Sequence, residues 1–150
     1  MTRRERQLTT LGRLKSLTRD EARRRLGAAQ SEHAQQQARL QELTSYLQDY
    51  RRLAVSGSSP TVHMNREHFI TRLHQAVDLQ TTVVAQSESR VRQAELGWMA
   101  TRQDARSVDR LLENERQSQQ QAQDRREQSA LDEHAVLQFG RAGANGLAGG

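Results

Sequence analysis

The sequence predicts an all-α fold in which two long helices form an antiparallel coiled-coil hairpin, followed by a disordered, glycine-rich C-terminal tail. Hydrophobic residues make up 34% of the chain and aromatic residues 3%, whereas a globular domain has roughly 45–50% apolar residues. Two long polar segments carry apolar residues spaced alternately by three and four positions, which is typical of a coiled-coil seam. The one proline, Pro60, lies between them in a Ser- and Gly-rich segment that indicates a turn.

Helix 1 is predicted over about residues 3–54. Its seam, the stripe of residues that faces the partner helix, consists of Ala22, Leu26, Ala29, His33, Gln36, Leu40, Leu43, Leu47, Tyr50 and Ala54. Earlier in the helix the apolar residues Leu8, Leu11, Leu14 and Leu17 are each three positions apart. Because that spacing drifts around a helix, we expect the seam to shift between Leu17 and Ala22.

The turn is predicted at residues 55–65 and helix 2 at about residues 66–139. Ser59 could cap a short first turn with Pro60 at the first helical position, and Asn65 could cap the main helix with Glu67 in its first turn. We expect a short first turn from Pro60 that runs into the main helix near Asn65. The seam of helix 2 consists of Ile70, Leu73, Val77, Gln80, Val84, Ser87, Val91, Ala94, Trp98, Thr101, Ala105, Val108 and Leu112.

The register of the hairpin follows from the two seams, since opposing positions have numbers that sum to 120, as in Leu47 with Leu73 and Ala22 with Trp98. Residue 2 then lies opposite residue 118, so helix 2 extends about twenty residues, roughly 30 Å, beyond its partner. We call this segment, Gln119 to Phe139, the overhang. Residues 140–150 contain five glycines and no periodicity, which predicts a disordered tail.

Composition and charge restrict the functions that the chain can have. It has no cysteine and no apolar run that could span a membrane or serve as a signal peptide, which favours a cytoplasmic protein. A two-helix hairpin offers no pocket for catalysis, so we expect no enzymatic activity, no cofactor and no metal site. The net charge is +5, and residues 1–26 carry nine basic against three acidic residues. Such a basic helix suits an acidic protein, an anionic lipid or nucleic acid.

Two segments carry more apolar surface than the hairpin can bury. The end of the hairpin at the turn, which we call the turn end, combines the seam with Tyr46, Phe69 and Ala76. An exposed aromatic patch there would favour a protein interface. The alternative is that Tyr46 and Phe69 only broaden the seam. In the overhang, Leu131, Ala135 and Phe139 share one stripe, with Gln128 and Asp132 on an adjoining one. This pattern is typical of a docking element or, alternatively, of a solvated helix end.

These residues together resemble the FliJ family of the bacterial flagellar export apparatus and its type III secretion relatives. The resemblance rests on Leu43, Tyr46 and Tyr50, on Phe69-Ile70-x-x-Leu73-x-x-Ala76, and on Arg126-Glu127-Gln128-x-x-x-Asp132-Glu133-x-Ala135. It implies a non-enzymatic stalk that inserts into the hexameric export ATPase FliI and stimulates it. It also implies that the other end of the stalk contacts the export gate protein FlhA and that the protein assists export chaperones.

The resemblance assigns residues to the two contacts. Those implied for the export gate are Leu43, Tyr46, Tyr50, Phe69, Leu73 and Ala76. Those implied for the export ATPase, together with the N-terminal helix, are Arg126, Gln128, Asp132, Glu133 and Ala135. We expect a cytoplasmic protein peripherally associated with the inner-membrane export apparatus, monomeric when free, without nucleic acid and without direct membrane insertion. A basic coiled coil that binds nucleic acid or acts as a general scaffold remains the alternative.

Overall fold

The computed structural model describes the backbone of residues 1–53 and 59–148 and the side chains of residues 1–53 and 59–143. The described chain contains two helices and no strand, α1 over Arg3–Arg52 and α2 over Pro60–Ala148. Residues far apart in sequence pair across them in the antiparallel sense, as in His33 with Ser87 and Gln36 with Gln80. The predicted all-α antiparallel hairpin is therefore confirmed.

The start of α1 is fixed by a side-chain cap. Thr2 Oγ1 accepts a hydrogen bond from the Glu5 backbone N–H at 3.1 Å, and Thr2 O accepts one from the Arg6 N–H at 3.0 Å. A hydroxyl in this position satisfies a backbone donor that the first turn leaves unpaired. The helix begins where the sequence predicted. Its predicted last residue, Ala54, and the first part of the predicted turn lie outside the described residues.

The start of α2 agrees with the helical turn expected from Pro60 but corrects the predicted turn over residues 55–65. The helix begins at Pro60 and residues 60–65 are helical, so α2 starts before residue 66. Ser59 caps this end, because its Oγ accepts from the Val62 N–H at 3.4 Å and its carbonyl from the His63 N–H at 3.2 Å. Proline suits the first helical position because its missing N–H has no helical acceptor there.

The end of α2 also differs from the prediction. The helix was expected to stop near Phe139 and to be followed by a disordered tail over residues 140–150. In the structure its backbone continues to Ala148, and only Gly149 and Gly150 lie outside the described residues. An existing helix gains one hydrogen bond for each added residue and needs no new nucleation step. The Ala and Arg residues between the glycines are good helix formers, so the helix can continue through them.

The chain divides into two compact units, and the first of these is formed by Ser16–Gln103. Every predicted seam position in its described part is buried or half-buried, with Leu26, Gln36, Leu47 and Ser87 the most buried. His33 Nδ1 lies 2.8 Å from Ser87 Oγ, a pair whose numbers sum to 120 as predicted. The predicted register of this unit is therefore correct.

The second unit consists of Met1–Lys15 and Asp104–Gly150. Ala105 and Val108 are buried here, as their seam positions predicted, and Gln119 Nε2 donates to Thr2 Oγ1 at 2.9 Å. That bond places residue 2 within one residue of its predicted partner. The buried carboxylate of Glu5 lies 3.4 Å from Arg116 Nε.

The predicted shift of the seam between Leu17 and Ala22 does not occur. The buried and half-buried positions keep the alternating spacing through Glu5, Leu8, Gly12, Lys15, Arg19 and Ala22. Leu8 is half-buried, but Leu11, Leu14 and Leu17 are exposed. Gly12 takes the inward position instead, where a Cβ atom would lie 3.6 Å from Val108 Cγ1. The leucines leave the seam because steps of three residues rotate them away from the partner, while Glu5 and Gly12 keep the alternating spacing.

Candidate partner-binding surfaces

The turn end of the hairpin is organised around a pair of aromatic rings. The ring centroids of Tyr50 and Phe69 are 4.4 Å apart and the planes are tilted by 41°. Tyr50 is half-buried, whereas Phe69 is 39% exposed. Such a pair adds stability beyond the area that it buries. Part of the predicted aromatic patch therefore also supports the fold.

Arg66 fixes the end of α1 beside this aromatic pair. Its Nη2 donates hydrogen bonds to Tyr50 O at 3.3 Å and to Arg51 O at 3.0 Å. These carbonyls belong to the last turn of α1, where helical partners run out. The spacing of apolar residues did not single out Arg66, although an arginine one or two turns into a helix can reach the end of a helix that precedes it closely in sequence. Its Nε atom is buried without a partner among the described residues.

The six residues predicted for the export gate divide into two groups. Tyr46, at 62%, and Phe69 are exposed, and the half-buried members are Leu43, Tyr50, Leu73 and Ala76. The same end also exposes Leu53, Val62 and Met64, which the sequence analysis did not single out. The structure thus combines an exposed apolar surface with a supporting layer, and the partner contact itself stays a prediction.

Beyond Gln119, which is half-buried and bonded to Thr2, the overhang is uncovered along its described length. Every side chain from residue 120 to residue 143 is exposed, including those predicted for the ATPase contact, which are Arg126, Gln128, Asp132, Glu133 and Ala135. The described hydrogen bonds join neighbouring turns of the same helix. Gln120 Nε2 donates to Asp124, Gln123 Nε2 to Glu127, and Gln128 Nε2 to Asp132, at 3.0, 3.2 and 3.2 Å. Pairs at this spacing give a helix modest local support.

Apolar side chains on the overhang face water. Leu131, Val136, Leu137 and Phe139 are all exposed, Phe139 by 84%. Val136 and Leu137 line a shallow depression with Ser129, Asp132 and Glu133. The spacing predicted the stripe of Leu131, Ala135 and Phe139. It did not predict the exposed pair Val136 and Leu137, because these two residues fall outside that stripe. The depression combines two carboxylates with two aliphatic side chains, which suits a partner that presents both basic and apolar groups.

A protein-family model described as "Flagellar FliJ protein" matches residues 4–144. The chain belongs to the FliJ family. The match includes both segments on which the resemblance rested, the turn end and the overhang. FliJ proteins are non-catalytic components of flagellar export, so the chain has a role related to that export. Neither the comparison with curated proteins nor the one with solved structures found a match.

Two further findings concern membranes and metals. Within residues 1–53 and 59–148, neither helix contains an apolar stretch long enough to cross a membrane. The same part of the chain holds no group of three His, Cys, Asp or Glu side chains placed to bind a metal ion.

Proposed function

We propose that this FliJ protein is a non-enzymatic stalk of the flagellar type III export apparatus, inserting its terminal segments into the export ATPase hexamer and stimulating ATP hydrolysis. The observation that carries the proposal is the uncovered helix from residue 120 to residue 143 in a chain whose family match extends over it. An isolated polar helix is marginal in water. A partner that surrounds the overhang would supply the packing that the rest of the chain does not.

The charge of the overhang suits a contact inside a protein ring. Arg126, Asp132 and Glu133 are exposed, and Arg126 Nε donates to the Ala122 carbonyl of its own helix at 3.3 Å. Exposed charges of both signs can pair with opposite charges of a partner, and they keep most of their hydration where they lie at the polar rim of the interface. The apolar side chains beside them, such as Leu131, can become the buried centre of an interface.

The turn end supports a second contact, with the export gate. Tyr46 and Phe69 expose aromatic surface, and the ring of the half-buried Tyr50 packs against that of Phe69. Rigid aromatic side chains are enriched at the centre of protein interfaces, because they bury much area and lose little entropy. In this proposal the protein also assists export chaperones, and it is cytoplasmic and peripherally associated with the export apparatus.

The test is a measurement of ATP hydrolysis by the cognate export ATPase with added full-length chain. We expect stimulation by the unchanged chain and no hydrolysis by the chain alone. Arg126→Ala with Glu133→Ala should raise the chain concentration needed for half-maximal stimulation roughly tenfold, since residues at an interface centre often contribute over 1 kcal/mol each.

The matched control removes the same two charge types from exposed positions of α2 outside the overhang, as Arg72→Ala with Asp78→Ala. The control should stimulate as the unchanged chain does, and circular dichroism should give all three proteins equal helicity. If a folded, stoichiometric sample of the unchanged chain does not stimulate the hexamer, the proposal fails. Equal losses in both variants would contradict the assignment of the contact to the overhang.

A further inference from the structure

The first turns of α1 belong to the terminal segments proposed for the ATPase contact, and their outer side also has a surface chemistry of its own. Arg3, Arg6, Gln7, Thr10, Leu11 and Leu14 line one shallow depression, and we call this set the N-terminal face. Leu11 is 39% exposed and Leu14 57%. All six residues belong to one helix, so the surface is the outer side of α1 rather than a cleft between elements. An apolar strip on such a surface is available to something that lies along it.

The leucines face outward because other residues occupy the inward positions. Glu5 is directed to Arg116 and Gly12 to Val108, within the same unit. Since Glu5, Gly12 and the half-buried Leu8 fill the side that faces α2, the helix geometry turns Leu11 and Leu14 away from it. Their exposure therefore follows from the packing of the unit.

The charge of the N-terminal face has one sign. Residues 1–15 contain five basic side chains and a single acidic one, Glu5, and Glu5 is buried against Arg116. Two of the cations, Arg4 and Lys15, lie 3.5 and 3.8 Å from carboxylates of α2. Arg3 and Arg6 form no ion pair with any residue that the structure describes. The two leucines are therefore accompanied by cations and not by carboxylates.

We propose that the N-terminal face binds an anionic lipid surface, lying flat on it without spanning it. Leucines flanked by arginines on one side of a helix are the features of an interfacial helix, which places apolar side chains at the acyl boundary and cations among the headgroups. An anionic leaflet attracts each nearby arginine and enriches the chain at its surface. The depression is shallow and all its residues belong to one helix, which favours lipid, since lipid adapts to such a surface, over a protein helix, which packs best into a groove between elements.

The experiment is cosedimentation of the full chain with large vesicles. One set contains phosphatidylcholine alone, and the other has about 30% phosphatidylglycerol, which supplies the negative surface potential. We expect binding to the anionic vesicles only, with at least tenfold weaker partitioning at about 0.5 M than at about 0.05 M salt, because salt screens the headgroup charge. No other export component is present, so the result is independent of the proposed ATPase contact.

Two pairs of variants separate the N-terminal face from general basic charge. Leu11→Gln with Leu14→Gln should weaken partitioning about tenfold, since it removes the apolar part of the contact. Its control, Leu79→Gln with Leu96→Gln, removes two exposed leucines from α2 and should bind as before. Arg3→Gln with Arg6→Gln should also weaken partitioning about tenfold or more. Arg72→Gln with Arg110→Gln removes the same charge elsewhere and should have little effect.

Every outcome decides the proposal. If the unchanged chain ignores anionic vesicles, or if each variant and its control weaken binding equally, the N-terminal face is not a lipid-binding surface. Saturable binding to poly-glutamate that the leucine variant loses, without vesicle binding, would assign the face to an acidic protein partner and also overturn the proposal. Glutamine is a good helix former, and circular dichroism checks folding. If the double leucine variant unfolds, Leu14→Gln alone takes its place.

Discussion

Ser87 is the most buried side chain among the described residues, at 1% exposure, and its hydroxyl stands where a coiled coil normally has an apolar group. The hydroxyl donates to Val84 O at 2.7 Å and lies 2.8 Å from His33 Nδ1. The serine hydroxyl thus pairs with a carbonyl of its own helix and with an imidazole of the partner helix, and the tautomer of His33 sets the donor direction of the second bond. A buried polar pair of this kind stabilises one register, because any shift along the helices leaves both groups unsatisfied.

Replacing Ser87 tests whether the His33–Ser87 pair stabilises the register. Ser87→Ala should lower the free energy of unfolding by about 1 kcal/mol, measured by urea denaturation, because His33 Nδ1 loses its hydrogen-bond partner. Ser31→Ala at an exposed position of α1 is the control, since it brings the same gain in helix propensity without removing the bond to His33. A double-mutant cycle with His33→Ala should give a coupling of about 0.5–1.5 kcal/mol. A coupling near zero would mean that the pair does not fix the register.

Among the elements, the seams could be predicted from the sequence, whereas their boundaries could not. The predicted seam positions that the structure describes are buried or half-buried because each has a counterpart on the other helix, and this reciprocity is visible in the spacing alone. The start of α2 was ambiguous, since both Ser59 and Asn65 are good caps by residue type. The course of the first turns of α1 was hidden, because Glu5 and Gly12 do not look like seam residues while Leu11 and Leu14 do.

For the candidate surfaces, too, only part of the structure could be predicted from the sequence. Exposure of Tyr46 and of the overhang followed from counting more apolar or helical residues than two helices can cover. The role of Arg66 did not, because its bonds to Tyr50 and Arg51 depend on where α1 ends and how α2 approaches it. Periodicity thus predicts which positions of a helix face its partner. Contacts across the turn depend on how the two helices are placed in three dimensions, which periodicity does not give.

The overhang should be a separable element. Deleting residues 123–150 should change the free energy of unfolding of the remaining chain by less than about 0.5 kcal/mol, because exposed residues away from specific contacts contribute little. The side chains described from residue 123 onward are all exposed. Circular dichroism should show a loss of helical signal no larger than the deleted residues account for, while the urea midpoint stays in place. A large fall in the midpoint would show that this segment packs on the rest of the chain.

For the whole molecule, stability rests on a very thin core. Among the described residues, the buried apolar side chains are Leu26, Leu47, Ala105 and Val108, and the buried polar ones are Glu5, Gln36 and Ser87. Nearly as many polar as apolar side chains are therefore withdrawn from water. Coiled coils accept such positions at a cost in stability because they fix register and the number of helices that associate. We infer that the polar positions keep this chain a single hairpin.

Replacing Gln36 and Gln80 by leucine should raise the stability of the fold while weakening the preference for a single hairpin over association with a second chain. Gln80 Nε2 donates to Gln36 O at 2.9 Å and to Gln36 Oε1 at 2.8 Å, and Gln36 is buried. Two leucines would bury apolar area in place of these bonds, so the free energy of unfolding should rise by about 2 kcal/mol. The uninterrupted apolar stripe should then also fit a second copy of the chain, and light scattering should detect dimers whose fraction grows with concentration.

Gln37→Leu with Gln86→Leu makes the same chemical change at exposed positions and is the matched control. It should remain monomeric and gain no stability, because its leucines stay in contact with water. A Gln36→Leu, Gln80→Leu chain that is both more stable and strictly monomeric would place the control of assembly elsewhere, with the His33–Ser87 pair the first alternative. A less stable chain would instead mean that the glutamine bonds contribute more than the apolar area that replaces them, and that the hairpin depends on polar contacts for its stability as well as its register.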